Sequence, residues 1–382
     1  MTDADRLRAV YELRLPADLP TAAVEEAARG VAVEQSVEMP VEAIRDRHVL
    51  DHVVGRVEDL VALDGDGPDR RWRATISLAA STVADDPVQL LNMLAGNVSL
   101  HDHVRLVDLT VPDTLLAGAV GPTHGIDGLR SLVGADPSHP RALTCTAVKP
   151  QGLPTARLAD LCAAFARGGV DIVKDDHGIA DRDVGAFAER VRACQAAIEA
   201  ANRVTGGSTR YAPNLIGPPD SVRRKAEIAV DAGVRVVLVA PMLVGVGTFA
   251  DLVRTTLRPA GVAALAHPAA AGTTALDPEV LLGSLFRFLG ADATIFPNHG
   301  GRFAFGPERC AGIAERSLRP WGPLAPTLPT PAGGITLDRV PELLGFYGRD
   351  VMLLVGGALL LAGDRLTAAT AEFVAGVRAA GT

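Results

Sequence analysis

The sequence predicts an α/β protein in which a small N-terminal α+β domain precedes a (β/α)8 TIM barrel. With 382 residues, the chain is long enough for a barrel of about 250 residues and a second domain. Hydrophobic residues make up 48% of the chain but aromatic residues only 4%, which is typical of Ala-, Val- and Leu-rich parallel sheets covered by helices. From residue 126 onward, short apolar segments alternate regularly with helical ones.

The first part of the chain has fewer predicted strands and helices, which we interpret as a ferredoxin-like α+β domain over residues 1–125. Strands are predicted at residues 7–15, 71–78 and 106–111, and helices at residues 87–96 and from Thr21 onward. A turn with Gly and Pro at residues 121–125 marks the predicted boundary.

Eight apolar segments of the second part, residues 126–382, are candidates for barrel strands. They lie at residues 142–148, 170–173, 210–215, 234–239, 262–266, 293–296, 324–329 and 351–355. Eight strands that alternate with helices over about 250 residues are typical of a (β/α)8 barrel. An open doubly wound sheet is the alternative, but no Walker A motif and no full Gly-x-Gly-x-x-Gly motif is present to support it.

Composition also excludes several kinds of partner. The net charge of -8, without a long run of Lys and Arg, argues against a nucleic-acid surface. The apolar runs at residues 234–246 and 351–362 are too short or too interrupted to span a membrane, and the N-terminus lacks the apolar core of a secretory signal. Four scattered cysteines without a Cys-x-x-Cys pair indicate buried free thiols. We therefore expect a cytoplasmic protein that binds small molecules or another subunit.

Polar residues and glycines collect where the predicted strands end. They are Lys149, Lys174, Asp176, His177, Asn214, His267, His299, Arg302, Gly333, Gly334, Gly356 and Gly357. In a barrel the strand ends meet at the C-terminal mouth, where the active site lies. All of these residues are therefore candidates for one pocket.

The stretch from Gly168 to Gly178, GGVDIVKDDHG, has the densest group of these residues. Side chains alternate faces along a strand, so Lys174 and Asp176 are predicted to share one face, with Asp175 on the other and His177 at the following turn. Such a cluster is either a functional site or an ordinary ion-pair network at a strand end.

Several of these segments together resemble the large subunit of ribulose-bisphosphate carboxylase (RuBisCO), and specifically its form IV branch, the RuBisCO-like proteins. TCTAVKPQGL resembles the family's first-strand lysine loop, GGVDIVKDDHG its metal-binding strand and ALAHP its fifth-strand histidine. PAGGI and VGGAL resemble its two glycine phosphate loops. AVEQSVE and AGNVS resemble the N-terminal segments that reach the site of a neighbouring subunit.

The resemblance implies a metal-dependent site. Lys174 would add CO₂ to become a carbamate and, with Asp176 and His177, would bind Mg²⁺. The metal would stabilise the enediolate that forms when a base removes a proton from a sugar-derived substrate. Glu34 and Asn97 would come from a partner subunit, which implies a homodimer or a multiple of dimers.

The other candidates each have an ordinary interpretation beside the functional one. Lys149 is either a base or enediolate-stabilising group or a solvent-facing loop lysine. His267 is a substrate contact, a proton carrier or a core histidine. The glycine pairs bind a phosphate through backbone N–H groups or are bare turns. The side chains of His299 and Arg302 either assist that anion or are polar loop residues.

Departures from the family pattern argue against carboxylation. His177 stands where the family has Glu, which leaves another divalent metal possible. Gln151, Pro268 and Ala332 replace a Lys, an Arg and a Ser, and the sixth-strand loop NHGGRFAFGPE has no Lys. The predicted function is therefore a decarboxylase or an isomerase or enolase that acts on a sugar-derived, phosphorylated substrate. A binding or regulatory protein without turnover and a residual carboxylase are the alternatives.

Overall fold

The computed structural model describes residues 6–63, 67–84 and 86–380. These residues form two compact units. The first contains the described residues up to Ala119 together with Ala271–Leu281, and the second contains Val120–Ala270 and residues 282–380. That residues 1–125 and 126–382 are separate domains stays a prediction.

The first unit is built on a four-stranded antiparallel sheet. Its strands are β1 (Arg6–Pro16), β2 (Arg56–Ala62), β3 (Asp69–Ala79) and β4 (Val104–Thr110). Its helices are α1 (Thr21–Glu34), α2 (Pro87–Ala95) and α3 (Asp113–Gly118). The strands lie in the order β2-β3-β1-β4, which with α1 after β1 and α2 after β3 is the ferredoxin-like arrangement.

Strand β2 is the one described strand of this unit that the sequence did not predict. Its sequence, RVEDLVA, carries charged residues and is half-exposed along its length, because it lies at the edge of the sheet. Central strand β1 instead alternates clearly, with Leu7, Ala9 and Tyr11 buried, and was predicted.

The second unit contains a parallel sheet of nine strand segments. They are β5 (Leu143–Val148), β6 (Ile172–Asp175), β7 (Arg210–Ala212), β8 (Asn214–Leu215), β9 (Val236–Val239), β10 (Ala263–Ala266), β11 (Ala293–Pro297), β12 (Leu328–Ala332) and β13 (Met352–Leu354). Only Pro213 separates β7 from β8, and this single segment pairs with β6 on one side and with β9 on the other. The sheet therefore returns on itself as a barrel of eight strands, which confirms the predicted fold class.

One helix precedes the first barrel strand, and the others alternate with the strands as expected. They are α4 (Gly125–Leu132), α5 (Thr155–Arg167), α6 (Val184–Thr205), α7 (Pro219–Asp231), α8 (Pro241–Val244), α9 (Val246–Leu252), α10 (Phe286–Phe288), α11 (Pro307–Leu318), α12 (Val340–Tyr347), α13 (Gly357–Leu360) and α14 (Leu366–Ala380). Within the described residues, none of the helices is both long enough and apolar enough to cross a membrane.

Helix α4 covers the N-terminal end of the barrel. Its apolar residues Ile126 and Leu129 join one buried cluster with inward-facing strand residues. The carboxylate of Asp292, just before β11, accepts hydrogen bonds from the backbone N–H groups of His124, Gly125 and Ala264 and so fixes the start of α4 there. The functional site is therefore expected at the opposite, C-terminal end of the barrel.

Strands β6 and β12 begin later than the sequence pattern indicates. Leu324 ends a turn that begins at Trp321, and residues 325–327 are irregular. The Arg287 guanidinium donates hydrogen bonds to the carbonyls of Arg319, Leu324 and Ala325 and so holds this segment outside the strand. Strand β6 extends to Asp175, so Lys174 is a strand residue and Asp176 follows the strand. The four cysteines are buried free thiols, as predicted.

Candidate active site

The ends of β5, β6 and β10 bring four of the predicted residues together. Val148, the last residue of β5, lies opposite Asp175 in the β5–β6 register, so the residues that follow each strand, Lys149 and Asp176, are neighbours. The Lys149 Nζ atom lies 3.3 Å from Asp176 Oδ1. The His177 Nδ1 atom lies 3.4 Å from the same oxygen.

His267 completes this group from the end of β10. Its ring stacks on that of His177, with 4.2 Å between centroids and 16° between planes. Its Nδ1 accepts a hydrogen bond from the backbone N–H of Ala269 at 3.1 Å. The neutral ring therefore carries its proton on Nε2, which is a donor. We call Lys149, Asp176, His177 and His267 the mouth cluster.

The electrostatics of the mouth cluster keep its groups in defined charge states. Burial, reinforced by the positive charges of Lys174 and His177, lowers the pKa of His267 to about 2, so the ring is neutral at physiological pH. Burial opposes ionisation of Asp176, but the hydrogen bond from His177 and the charges of Lys149 and Lys174 outweigh it and hold the Asp176 pKa below its ordinary value. The cluster thus pairs a permanent carboxylate with a neutral imidazole.

Lys174 lies beneath this cluster on β6. The side chain is buried, and Nζ donates a hydrogen bond to the backbone carbonyl of Asp175 at 2.9 Å. Burial, together with the positive charge of Lys149, lowers the pKa of Lys174 against the opposing influence of Asp176. At a given pH, a larger fraction of Lys174 is therefore in the uncharged amine form than of a solvent-exposed lysine.

A buried network that the sequence did not reveal supports the end of β6. Asp175 accepts hydrogen bonds from Arg190 at 2.5 Å, from the Tyr211 hydroxyl at 2.7 Å and from the backbone N–H of Asn214 at 2.9 Å. Arg190 also contacts both carboxylate oxygens of Asp181 at 2.8 Å. The sequence pattern did place Asp175 on the face opposite Lys174, but nothing in it indicated an arginine 15 residues further on as the partner.

Asn214 fixes the loop that carries His177. Its side-chain amide donates to the backbone carbonyls of His177 at 2.9 Å and Ile179 at 3.2 Å, and the residue is buried. Both hydrogens of the amide are therefore engaged by the protein. The predicted contact of Asn214 with substrate stays a prediction, and it is limited to the carbonyl oxygen of the side chain.

The predicted glycine pairs lie in two different surroundings. A Cβ on Gly356 would lie 3.8 Å from Lys149 Cε, so the loop after β13 borders the mouth cluster. Gly333 and Gly334 have φ angles of +86° and +71°, and a Cβ on Gly334 would lie 2.6 Å from Gly301 Cα. Only glycine permits this approach of the β11 and β12 loops.

His299 and Arg302 lie on the β11 loop without reaching the mouth cluster. His299 is buried against Phe346, with 4.7 Å between ring centroids, and its Nε2 has no hydrogen-bond partner in the described part of the chain. Arg302 is exposed and lies over the Phe303 ring at 5.0 Å. Within the described ranges no hydrogen bond or ion pair joins either residue to Asp176.

Glu34 and Asn97 contact each other within the first unit. The Asn97 side-chain amide donates to Glu34 Oε1 at 2.8 Å, at an exposed position. The two segments that resemble those reaching a neighbouring subunit's site are therefore adjacent. That they serve the site of a partner subunit stays a prediction.

The residues around Lys174 fit a divalent cation only in part. No group of three or more His, Cys, Asp and Glu side chains arranged to hold a metal occurs among the residues described by the structure. Asp176 supplies a hard anionic oxygen and His177 a nitrogen donor. Lys174, whose pKa is lowered by burial, would supply a third donor if its amine were converted to an anionic group. With that conversion the donor set fits.

The position of these residues defines the general class of protein. They lie at the C-terminal mouth of a (β/α)8 barrel, which is where enzymes of this architecture carry out their chemistry. The family model for the ribulose bisphosphate carboxylase large chain, catalytic domain, matches residues 126–291.

Relatives over the whole length specify the family more closely. The chain is 50% identical to 5-methylthioribulose-1-phosphate isomerase of Rhodospirillum rubrum, with 98% of this chain and 97% of the relative covered. It is 33% identical to 2,3-diketo-5-methylthiopentyl-1-phosphate enolase of Geobacillus kaustophilus, over 76% of this chain and 71% of that enzyme. A crystal structure of a RuBisCO-like protein from Rhodopseudomonas palustris matches with a TM-score of 0.88 and 44% identity over 99% of both chains.

The chain belongs to the RuBisCO-like branch of the ribulose bisphosphate carboxylase large-chain family. It is an enzyme of the isomerase and enolase type and not a CO₂-fixing carboxylase, as the missing lysines predicted. Decarboxylation, the other reaction in the predicted function, has no counterpart in the names of these relatives.

Proposed function

We propose that the chain is an isomerase that transfers a proton between neighbouring carbons of a phosphorylated ketose, with 5-methylthioribulose-1-phosphate as its substrate. The observation that carries this proposal is the convergence of Lys149 and His177 on one carboxylate oxygen of Asp176, with His267 stacked beside them. The substrate is suggested by the isomerase relative, which is 50% identical over 98% of the chain.

Such an isomerisation needs a group that moves a proton at carbon and donors that hold the negative charge on oxygen. We assign the proton transfer to Lys149 Nζ, which is partly exposed at the mouth next to Asp176. Asp176 keeps its charge and orients both Lys149 and His177. His267 stays neutral, and its Nε2–H is the donor for a substrate oxygen.

Lys174 as a CO₂-derived carbamate, Asp176 and His177 are the residues that would hold Mg²⁺ or another divalent cation. When bound, this cation would polarise the substrate carbonyl and its adjacent hydroxyl, which lowers the barrier to enediolate formation. The buried position and lowered pKa of Lys174 support this assignment. The cytoplasmic location expected from the sequence agrees with a small phosphorylated substrate.

Product analysis tests the proposed function. The enzyme with Mg²⁺ and bicarbonate is incubated with 5-methylthioribulose-1-phosphate and followed by proton NMR and mass spectrometry. We expect a new ketose phosphate of unchanged mass. Loss of CO₂ from a 3-oxo acid analogue, or turnover of a 2,3-diketo phosphate while the ribulose compound stays unchanged, would assign decarboxylation or enolisation instead.

The proposed site requires a dimer if Glu34 and Asn97 act on a neighbouring chain. Mixing two inactive variants, Lys174→Ala and Glu34→Ala, should then restore activity, because each mixed dimer contains one intact site. Random reassortment predicts roughly a quarter of wild-type activity. A monomer by light scattering at micromolar concentration, or no recovery after mixing, would contradict this prediction.

We also expect the site to hold one phosphate strongly and not two. Pro268 has no backbone N–H and Ala332 no side-chain donor, and Arg302 is exposed over Phe303. A second dianion would therefore be left underpaired, at a cost of about 1–3 kcal/mol or more.

Calorimetry with ribulose 1-phosphate and ribulose 1,5-bisphosphate measures this difference. The two compounds share the sugar and one phosphate, so they form a matched pair. Equal or weaker binding of the bisphosphate is expected. Roughly tenfold tighter binding of the bisphosphate, about 1.4 kcal/mol, would show that a second anion site exists.

A further inference from the structure

A cavity of about 350 Å³ opens beside the mouth cluster. The described residues that line it come from the loop after β5, from helix α5 and its approach, and from the short helix α13: Lys149, Pro150, Leu153, Arg157, Leu161 and Leu360. The volume is within the range of about 300–1,000 Å³ typical of small-molecule sites. Two of these lining residues are cations and none is acidic, so the charge around the cavity favours an anion.

The cavity borders one of the two predicted phosphate loops, the one after β13. A Cβ on Gly356 would lie 3.8 Å from Lys149 Cε, and Leu360 belongs to the short helix that begins at Gly357. A Cβ on Gly357 would meet open space within 4 Å. A ligand therefore has room to approach the backbone of this loop closely.

The other glycine pair, after β12, is closed by packing. A Cβ on Gly334 would lie 2.6 Å from Gly301 Cα, and a Cβ on Gly333 would lie 3.9 Å from the Phe303 ring. The close approach of the β11 and β12 loops accounts for glycine at these positions. Of the two predicted phosphate loops, the β13 loop is therefore the one with open space and an adjoining cavity that carries two cations.

The two cations of the cavity differ in what else they contact. Lys149 Nζ is 3.3 Å from Asp176 Oδ1 and belongs to the mouth cluster. Arg157 shares a face of α5 with Leu161, one turn further on, and its Nη1 atom is 3.3 Å from Asp160 Oδ2. The Arg157 side chain is 71% exposed, and an exposed pair of this kind contributes little to stability. The guanidinium therefore has N–H donors left for a ligand.

We infer that this cavity, which we call the phosphate pocket, holds the phosphate of the substrate and that Arg157 is a side-chain ligand of this phosphate. This inference rests on the proposed function and adds a residue that determines specificity for a phosphorylated substrate. A guanidinium can bind phosphate oxygens through two parallel N–H bonds. The leucines on the other walls limit the approach of water, which strengthens the attraction between the two charges.

The phosphate pocket also orients the substrate. Lys149 lines the pocket and belongs to the mouth cluster, so a phosphate bound beside Arg157 places the phosphorylated end of the sugar next to Lys149. The methylthio end then points away from the pocket.

Steady-state kinetics with 5-methylthioribulose-1-phosphate test the assignment, with the phosphate-free ketose 5-methylthioribulose as a competitive inhibitor. Arg157→Gln should raise KM for the phosphorylated substrate roughly tenfold to a hundredfold, the range for a lost hydrogen bond to a charged group. The inhibition constant of the phosphate-free ketose should stay within about twofold of its wild-type value, because this compound has no group that binds Arg157. Arg157→Lys should keep part of the affinity, since lysine retains the charge but not the paired donors.

Two control variants separate phosphate binding from support of the helix. Arg167 is an exposed arginine in the last turn of α5 that does not line the pocket, so Arg167→Gln should keep the wild-type KM. Asp160→Asn removes the pair on the helix surface and should leave KM equal to or below that of the wild type. A rise in KM equal to that of Arg157→Gln would instead mean that the pair only supports α5, and would overturn the inference.

Two further results would overturn the inference and leave the proposed function standing. One is a wild-type KM in Arg157→Gln. The other is an inhibition constant for the phosphate-free ketose that rises as much as KM does. A wild-type enzyme that leaves 5-methylthioribulose-1-phosphate unchanged would overturn the proposed function itself.

Discussion

Replacing Lys174 with alanine is expected to abolish turnover while the barrel stays folded. Lys174 is buried below the mouth cluster, and its amine contacts only the carbonyl of Asp175 among the hydrogen bonds that the structure describes. Burial lowers the pKa of Lys174, so the charged amine contributes little to the stability of the folded protein. Alanine therefore removes the proposed third cation ligand at little cost to stability.

The expected loss in kcat/KM is at least about a thousandfold, or about 4 kcal/mol of transition-state stabilisation. Lys225→Ala is the control, because Lys225 is also a buried barrel lysine whose amine donates to a backbone carbonyl, that of Ile216 at 2.8 Å. Lys225→Ala should keep its activity. Circular dichroism checks that both variants fold, and a Lys174→Ala enzyme that retains a tenth of wild-type activity would contradict the assigned role.

Replacing Arg190 with methionine is expected to cause the largest loss of stability. The guanidinium bridges Asp175 and Asp181, and all three side chains are buried. Burial disfavours the charge of Arg190, but Asp175 and Asp181 outweigh it and raise the Arg190 pKa. Methionine would leave two carboxylates in the interior without their cation, which typically costs about 3–5 kcal/mol.

Urea unfolding measures this effect, with Arg182→Ala as the matched control. Arg182 is also an arginine next to an aspartate, Asp183 at 3.1 Å, but its side chain is 88% exposed. Its loss should change the free energy of unfolding by less than about 0.5 kcal/mol. If the two variants were equally stable, the network around Asp175 would have no structural importance.

Much of the fold could be predicted because the barrel repeats one simple pattern. Each parallel strand is buried on both faces, so it appears as a short apolar run, and a helix follows it. The ends of these runs indicated Lys149, Asp176, His177 and His267, and the structure brings these four together. Each of these residues lies within two positions of the end of its strand in the sequence. The sequence pattern alone could therefore identify them.

The features that the sequence did not reveal depend on contacts between distant segments. Edge strand β2 has no clear alternation because its register shifts between Val57 and Asp59 and none of its residues is fully buried. The apolar residues before β12 resemble a strand in the sequence, but Arg287 donates hydrogen bonds to the carbonyls of Leu324 and Ala325 and holds these residues outside the strand. The partners of Asp175 come from α6 and β7, and no motif links them.

The most direct test of the assigned site is a crystal structure of the enzyme grown with Mg²⁺ and bicarbonate. We expect a carbamate on the Lys174 amine and a metal ion bound by that group together with Asp176 and His177. A bare Lys174 ammonium that still donates to the Asp175 carbonyl, with no metal beside Asp176, would contradict it.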